Sequence, residues 1–149
     1  MLARTVYFSF DYNRDIDRVN QIRNMSGIQA RSSGGFTDAT FWNDAVKKGD
    51  SHVAQLIQEG LKNTVVTIVC IGAVTAQNKY VEYEINQSLK RGNAIIAITI
   101  HHLGDNSGKP DVRGAKPYSI EKNAIPVYKY EDHKSLLEEI SRLARTRET

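Results

Sequence analysis

The sequence predicts an α/β domain with five parallel β-strands in the order 2-1-3-4-5 and helices on both faces of the sheet. Strand-like segments alternate with amphipathic helical segments along the whole chain. Most of the strand-like segments are almost continuously apolar, as expected for strands covered on both faces. With 149 residues and neither a repeat nor a linker, the sequence favours a single domain over residues 1–149.

The predicted strands differ in how apolar they are. The third strand is the most clearly defined, and the second is short and less apolar, which is typical of a strand near a sheet edge. Pro126 is tolerated because it stands at the start of the last strand. The predicted strands cover residues 5–10, 36–42, 65–71, 94–100 and 126–130.

The predicted helices follow apolar residues spaced three or four positions apart. The first runs from Ile16 to about Gln29, and the second begins at Asp50 or Ser51 as N-cap. The third covers residues 80–91 and is followed by Gly92, and the last carries an apolar face over residues 136–143. Residues 43–50 are predicted as a polar connection, and residues 101–123 as a long irregular loop.

Composition narrows the class of protein. The hydrophobic share of 40% and the charged share of 25% are typical of a globular domain. A net charge of +3 is mild and its basic residues are scattered, so neither nucleic acid nor a membrane surface is expected as a partner. The lone cysteine, Cys70, is expected to pack in a strand. Without a signal peptide or an apolar run long enough to span a bilayer, the expected compartment is the cytoplasm.

The predicted strand order places a ligand site beyond the carboxyl ends of strands 1 and 3, where the winding of the sheet reverses. Two loops leave those ends, at residues 10–13 and at residues 72–78, the second beginning with Gly72. The helix after the second loop carries Glu84 on the flank of its apolar face, and Glu82 lies on the other flank. Periodicity alone does not choose between these two glutamates.

The sequence lacks the motifs of several common kinds of active site. The chain contains no glycine-rich dinucleotide fingerprint and no P-loop signature. Ser9 has no nucleophile elbow around it. We therefore expect no bound cofactor. We also expect no metal, because none of the four histidines has metal-ligand spacing, these being His52, His101, His102 and His133.

A carboxylate with aromatic neighbours remains as the candidate site. Breaking a glycosidic bond builds positive charge on the sugar carbon, and Glu84 would stabilise that charge. A cationic leaving group such as nicotinamide needs little acid assistance, so one carboxylate suffices. Phe10, Tyr12 and Tyr80 would hold flat bases by stacking. The residues permit this chemistry without requiring it.

Four blocks of the sequence resemble the TIR-like family that includes the TIR subunit of bacterial Thoeris antiphage systems. The resemblance covers roughly residues 4–100, with the blocks in order and at matching spacing. Each block alone is a weak match, and together they are fairly specific. The blocks lie at residues 6–12, 42–45, 60–64 and 81–93.

The resemblance implies a flavodoxin-like TIR fold and cleavage of NAD at the nicotinamide–ribose bond, with NAD as substrate. It further implies a signalling derivative of ADP-ribose, cyclic or conjugated, that activates a separate effector. The family's catalytic glutamate directly follows a tyrosine, and the matching pair here is Tyr83-Glu84. That match favours Glu84 over Glu82.

The resemblance also places residues around the nucleotide. The segment Phe10-Asp11-Tyr12 matches such positions, and so does Asp44, which is equally consistent with a loop carboxylate. Trp42 is expected in the core or at an interface. Gly72, Tyr80 and Tyr83 complete the predicted substrate-binding set.

Two other functions stay open. A non-catalytic TIR-like interaction module would share the fold, because fold does not determine function. A nucleoside-processing transferase would also use a carboxylate in a cleft. The resemblance allows for a phage-derived trigger and for a homo-oligomer.

Overall fold

The computed structural model describes residues 4–33 and 39–148. Within them, five strands form one sheet in the order β2-β1-β3-β4-β5, and every neighbouring pair is parallel. This confirms the predicted fold class. The strands are β1 (Arg4–Ser9), β2 (Ile28–Arg31), β3 (Val66–Ile71), β4 (Ala94–Thr99) and β5 (Val127–Lys129).

Helices connect the strands. A short 3₁₀ turn, Thr75–Gln77, lies between β3 and the helix that follows it. The helices are α1 (Tyr12–Arg23), α2 (Ala39–Lys47), α3 (Asp50–Leu61), α4 (Lys79–Lys90), α5 (Tyr118–Lys122) and α6 (His133–Glu148).

Alternate residues of the central strand pack against different helices. Ile68 and Cys70 of β3 belong to the cluster that includes Ile140 of α6. Val69, one position along, packs in a second cluster with Ile85 of α4. Since successive side chains of a strand point to opposite faces, α6 and α4 cover opposite faces of the sheet.

The second strand was predicted in the wrong place. Residues 39–42 of the predicted strand 36–42 begin α2, and residues 36–38 lie outside the described residues. The second strand is instead Ile28–Arg31, which the prediction assigned to the end of the first helix. That helix ends at Arg23, and Gly27 follows with a φ of +93°, a conformation that favours glycine.

Two connections also contain helices that were not predicted. The segment 43–50, predicted as a polar connection, is helical to Lys47, with Trp42 and Ala45 on the buried face of α2. The segment 101–123, predicted as irregular throughout, contains α5 near its end. Ile120 of α5 packs against α4 and accounts for this short helix.

Candidate active site

The loops that follow β1 and β3 are joined at the carboxyl edge of the sheet. Asp11 caps α1 by accepting a hydrogen bond of 2.9 Å from the Arg14 backbone N–H. Asn78 caps α4 by accepting from the backbone N–H groups of Tyr80 (2.9 Å) and Val81 (3.3 Å). The Asn78 amide also donates to Asp11 Oδ2 over 3.1 Å. The starts of two helices are therefore tied together where the winding reverses.

Glu84 lies on α4 against β1, and only 3% of the residue is exposed. Tyr7 Oη donates to Glu84 Oε2, and Ser9 Oγ donates to Glu84 Oε1 over 2.8 Å. Tyr7 and Ser9 share one face of β1 because side chains two residues apart in a strand point the same way. Hydroxyl groups from a single strand thus hold both carboxylate oxygens.

The environment of Glu84 favours its protonated form. Burial raises the pKa of Glu84 from 4.5 to about 8, because the charged carboxylate loses its hydration. The hydrogen bonds from Tyr7 and Ser9 favour the charged form and limit this rise in pKa. Burial, followed by the proximity of Glu84, raises the pKa of Tyr7 well above 10.0, so its phenol remains a donor. A strongly shifted pKa at a topological switch point marks a candidate functional group.

Aromatic rings form a series of contacts beside Glu84. The rings of Phe10 and Tyr12 are 4.3 Å apart between centroids. Tyr12 stacks on Trp42 at 4.7 Å with an interplanar angle of 14°, and Trp42 meets Tyr80 edge-on at 5.4 Å. Burial raises the pKa of Tyr12, and the nearby charge of Glu84 also acts to raise it. The series therefore extends from the surroundings of Glu84 to the start of α4.

A cavity of about 450 Å³, which we term the switch-point cavity, opens at the end of this aromatic series. Its volume lies within the range of small-molecule sites. Glu84 is not part of its wall, and the link to Glu84 runs through Trp42 and Tyr12. The wall consists of Asp11, Asn13, Trp42, Asn43, Val46, Val74, Gln77, Asn78, Lys79 and Tyr80.

The structure brings some of the predicted site residues together and not others. Asp11 and Tyr80 line the switch-point cavity, while Phe10 and Tyr12 lie in the aromatic series next to Glu84. These residues share one edge of the sheet with Glu84.

Three predicted residues lie apart from this group. Asp44 is exposed on α2 and is not part of the cavity wall. Tyr83 Oη accepts a hydrogen bond of 3.1 Å from the Gln58 side chain, so Tyr83 faces α3. Gly72 packs against a buried carboxyl group, since a Cβ atom added there would lie 2.2 Å from Asp15 Oδ2.

Several residues of the site were not assigned to it from the sequence. Tyr7 was treated only as part of a strand, Ser9 was considered only as a nucleophile and set aside, and Trp42 was expected in the core or at an interface. Trp42 is indeed buried, and it also lines the cavity. A detectable signal was the polar Ser9 near the end of an apolar strand, two residues after Tyr7.

The described residues offer neither a metal cluster nor a membrane-spanning helix. Among residues 4–33 and 39–148, no group of three or more histidine, cysteine, aspartate or glutamate side chains is arranged to hold a metal ion. Over the same residues, no helix combines the length and apolar character needed to cross a membrane. Cys70 is buried, and burial raises the pKa of its thiol.

A parallel five-stranded sheet with a buried glutamate at its switch point defines a flavodoxin-like α/β domain of the TIR type. Residues 7–105 match the family described as "Thoeris protein ThsB, TIR-like domain", and the chain belongs to this family. The resemblance found over residues 4–100 is thereby confirmed.

Similarity to a protein of Bacillus cereus supports the same family assignment. The chain is 38% identical over 149 aligned residues to a protein of Bacillus cereus (strain MSX-D12) named "Putative cyclic ADP-D-ribose synthase ThsB1". The alignment covers 91% of this chain and 78% of that protein. The similarity therefore extends beyond the four blocks that carry the resemblance.

Proposed function

We propose that this protein cleaves NAD at the nicotinamide–ribose bond, with Glu84 as the catalytic carboxylate. The product in this proposal is an ADP-ribose derivative, cyclic or conjugated, that activates a separate effector in antiphage defence. The name of the Bacillus cereus relative supports the reaction class. The observation that carries the proposal is the burial of Glu84 beside the switch-point loops, with both oxygens held by hydroxyl groups.

The chemistry breaks one bond and forms one bond. The C1′–N bond breaks, and nicotinamide leaves with the electron pair as a neutral base. The ribosyl group left behind is an oxocarbenium-like cation, which the ionised Glu84 stabilises by charge. A nucleophile of the ADP-ribose itself, for a cyclic product, or of a second small molecule, for a conjugated product, then attacks C1′ and loses a proton to solvent.

Burial of Glu84 suits this reaction. A carboxylate with a pKa of about 8 is destabilised in its charged form while the site is empty. The pyridinium cation of NAD would favour the charged form by electrostatic attraction. The same attraction increases as positive charge moves to the ribose, so Glu84 interacts more strongly with the transition state than with bound NAD.

The polar and aromatic groups around the switch-point cavity would hold the nucleotide. Phe10, Tyr12 and Tyr80 offer rings for stacking, and Asp11 offers a carboxylate for hydrogen bonds to ribose hydroxyl groups. Gly72, Asp44 and Tyr83 keep their expected binding roles only as a weaker part of the proposal, because they lie outside both this wall and the aromatic series.

Substrate access requires movement. Glu84 is 3% exposed and Tyr12 is 2% exposed, so the reacting ribose contacts the carboxylate only after the aromatic series opens. We propose that a phage-derived trigger or assembly of a homo-oligomer favours the open state. The proposal takes residues 1–149 as one TIR-like domain that acts in the cytoplasm.

The test is nicotinamide release from NAD in lysates of infected and uninfected cells that contain the wild type or Glu84→Gln. Glu82→Gln is the matched control, because Glu82 lies two residues away on α4 and accepts hydrogen bonds from Ser119 instead. We expect release by the wild type and by Glu82→Gln, and none by Glu84→Gln. Mass spectrometry of the ADP-ribose moiety identifies the product.

Folded protein that releases no nicotinamide in any lysate would refute the proposal. That outcome would favour the non-catalytic interaction module. Cleavage of a nucleoside in the presence of a free base, without cleavage of NAD, would favour the transferase.

A further inference from the structure

A second cavity, which we term the β4–β5 cavity, lies at the carboxyl ends of β4 and β5. It has a volume of about 360 Å³. It shares no wall residue with the switch-point cavity. Its wall consists of Thr99, His101, His102, Arg113, Lys116, Val127, Tyr128 and Lys129.

The β4–β5 cavity gathers positive charge without a carboxylate in its wall. Arg113 and Lys116 come from the segment before α5, and Lys129 ends β5. Within the described parts of the chain, none of these three cations forms an ion pair. The nearby Asp111 is engaged by Arg14, whose guanidinium donates to it over 2.6 and 2.8 Å. Cations that converge on a concave space without partners create a positive potential that attracts anions.

Two histidines add hydrogen-bonding groups to this wall. The Nδ1 atoms of His101 and His102 are buried and have no partner among residues 4–33 and 39–148. His102 Nε2 lies 2.8 Å from the Tyr130 carbonyl oxygen, which can only accept, so Nε2 carries the proton. In the neutral ring Nδ1 is then an acceptor without a partner among the described residues.

The charges around His101 are mostly positive. Burial lowers the pKa of His101, and the charges of His102, Arg113 and Lys129 lower it further, whereas Asp111 acts to raise it. Lys116 and Tyr128 are the other ionisable groups of the same wall. A bound anion would offset the nearby positive charges, so anion binding and protonation of His101 favour each other.

We propose that the β4–β5 cavity binds a phosphate-bearing anion and is a site distinct from the cleft around Glu84. A phosphate group carries several acceptor oxygens and more than one negative charge, which matches cations and imidazole donors on several sides. Two sources share this chemistry, namely free pyrophosphate and the diphosphate of a nucleotide. Tyr128 is 58% exposed at the cavity and would stack a base in the second case.

The histidine proton resonances test the proposal directly, because the chain has four histidines and only two line this cavity. We expect millimolar inorganic pyrophosphate, at constant ionic strength and pH, to shift the ring-proton resonances of His101 and His102. His52 and His133 serve as internal controls and stay unchanged. Equal shifts of all four resonances, or no shift of any, would overturn the proposal.

A pair of double variants separates this site from general charge effects. Lys116→Ala with Lys129→Ala removes two cations from the cavity wall, and Lys48→Ala with Lys62→Ala removes two exposed lysines elsewhere. Both change the net charge equally. We expect pyrophosphate binding to weaken about tenfold or more in the first and less than about twofold in the second. Equal weakening in both would contradict a localised site.

Two further titrations show which compound supplies the anion and whether the β4–β5 cavity binds it independently of Glu84. If ADP-ribose shifts the His101 resonance at a lower concentration than pyrophosphate does, the ligand is a nucleotide. If both compounds shift it at the same concentration, the ligand is a free phosphate compound. The Glu84→Gln variant should bind pyrophosphate as the wild type does, whatever its activity toward NAD. Loss of binding in that variant would contradict a separate site.

Discussion

Two buried carboxyl groups lie at the carboxyl edge of the sheet, and their surroundings differ. Asp15 on α1 is fully buried and pairs with Arg18, whose guanidinium lies 3.2 Å from Asp15 Oδ1. Glu84 on α4 is held by the hydroxyl groups of Tyr7 and Ser9 and has no cation among its hydrogen-bond partners within residues 4–33 and 39–148. The pKa of Asp15 rises to about 6 through burial, limited by Arg18, whereas that of Glu84 rises to about 8.

The comparison relates the type of hydrogen-bond partner to the structural role of Asp15 and to the catalytic role proposed for Glu84. Arg18 also donates to the carbonyl oxygens of Leu103 (2.8 Å) and Lys109 (2.9 Å), so its pair with Asp15 anchors the segment after β4. Glu84 anchors no loop and lies beside the aromatic series. Two carboxyl groups whose environments give them different pKa values commonly have different roles at a site.

The largest expected effect is on Glu84→Gln. We expect nicotinamide release to fall at least about 100-fold, because the transition-state cation loses its counter-charge. We also expect higher stability at pH 7, by about 3 kcal/mol, because the amide cannot ionise in a buried position.

The sign of the stability effect follows from the pKa of Glu84. Its pKa is higher in the folded protein, so the wild type loses stability as pH rises from about 4.5 to about 8. Chemical denaturation at pH 5, 7 and 9 should show a stability gain for Glu84→Gln that grows with pH. A gain independent of pH would mean that Glu84 is not held in its protonated form.

Replacing Arg18, the partner of Asp15, should lower the stability of the folded protein. We expect Arg18→Met to lower the free energy of unfolding by about 3 kcal/mol, because Asp15 loses its counter-ion and two carbonyl oxygens lose a donor. Denaturant titration measures this change. Arg142→Met is a control, since Arg142 forms an exposed pair with Glu139, and should be nearly neutral.

Gly72→Ala should be destabilising by about 2 kcal/mol, because the new methyl group would lie 2.2 Å from Asp15 Oδ2 in a buried place. Gly92→Ala meets nothing within 4 Å and is strained only by its φ of +85°. We therefore expect thermal denaturation to show a smaller loss for Gly92→Ala, about 1 kcal/mol. Equal losses would argue against close packing between Gly72 and Asp15.

Tyr7→Phe should have the smallest of these effects. It removes a hydrogen bond that favours ionised Glu84, so the pKa of Glu84 should rise further above about 8. We expect kcat/KM for NAD to rise with pH in both proteins, with the midpoint at higher pH in Tyr7→Phe. At pH 7 the variant should be about tenfold slower. An unchanged midpoint would show that Tyr7 does not control the ionisation of Glu84.

The central sheet could be predicted from the sequence because its strands are continuously apolar. Residues 65–71 and 94–100 contain almost no polar side chains, and their observed counterparts β3 and β4 are central and buried. The strand order then located the switch point without knowledge of any side-chain contact.

The edge of the sheet could not be predicted in the same way. Ile22, Met25 and Ile28 stand at three-residue steps, which imitates a continuing helix. The strand β2 is only half-buried and has four residues, so its own alternation is too short to compete with that pattern.

The candidate site was predictable in position but not in detail. The flanks of α4 offered both Glu82 and Glu84, and the family match favoured Glu84, whereas the contacts of Glu84 with Tyr7 and Ser9 depend on how α4 packs across β1. Tyr83 adjoins Glu84 in sequence and yet faces α3, because neighbouring residues of a helix point in directions about 100° apart.

The most direct test of the central claim is the ionisation of Glu84 itself. Carbon-13 NMR of the glutamate side-chain carboxyl groups, titrated with pH and assigned by comparison with Glu84→Gln, measures its pKa. Because Glu84 is buried and hydrogen-bonded to neutral hydroxyl groups, we expect its pKa to lie near 8. A value near 4.5 would show that Glu84 is solvated and charged at neutral pH, and would contradict the proposed role of its burial.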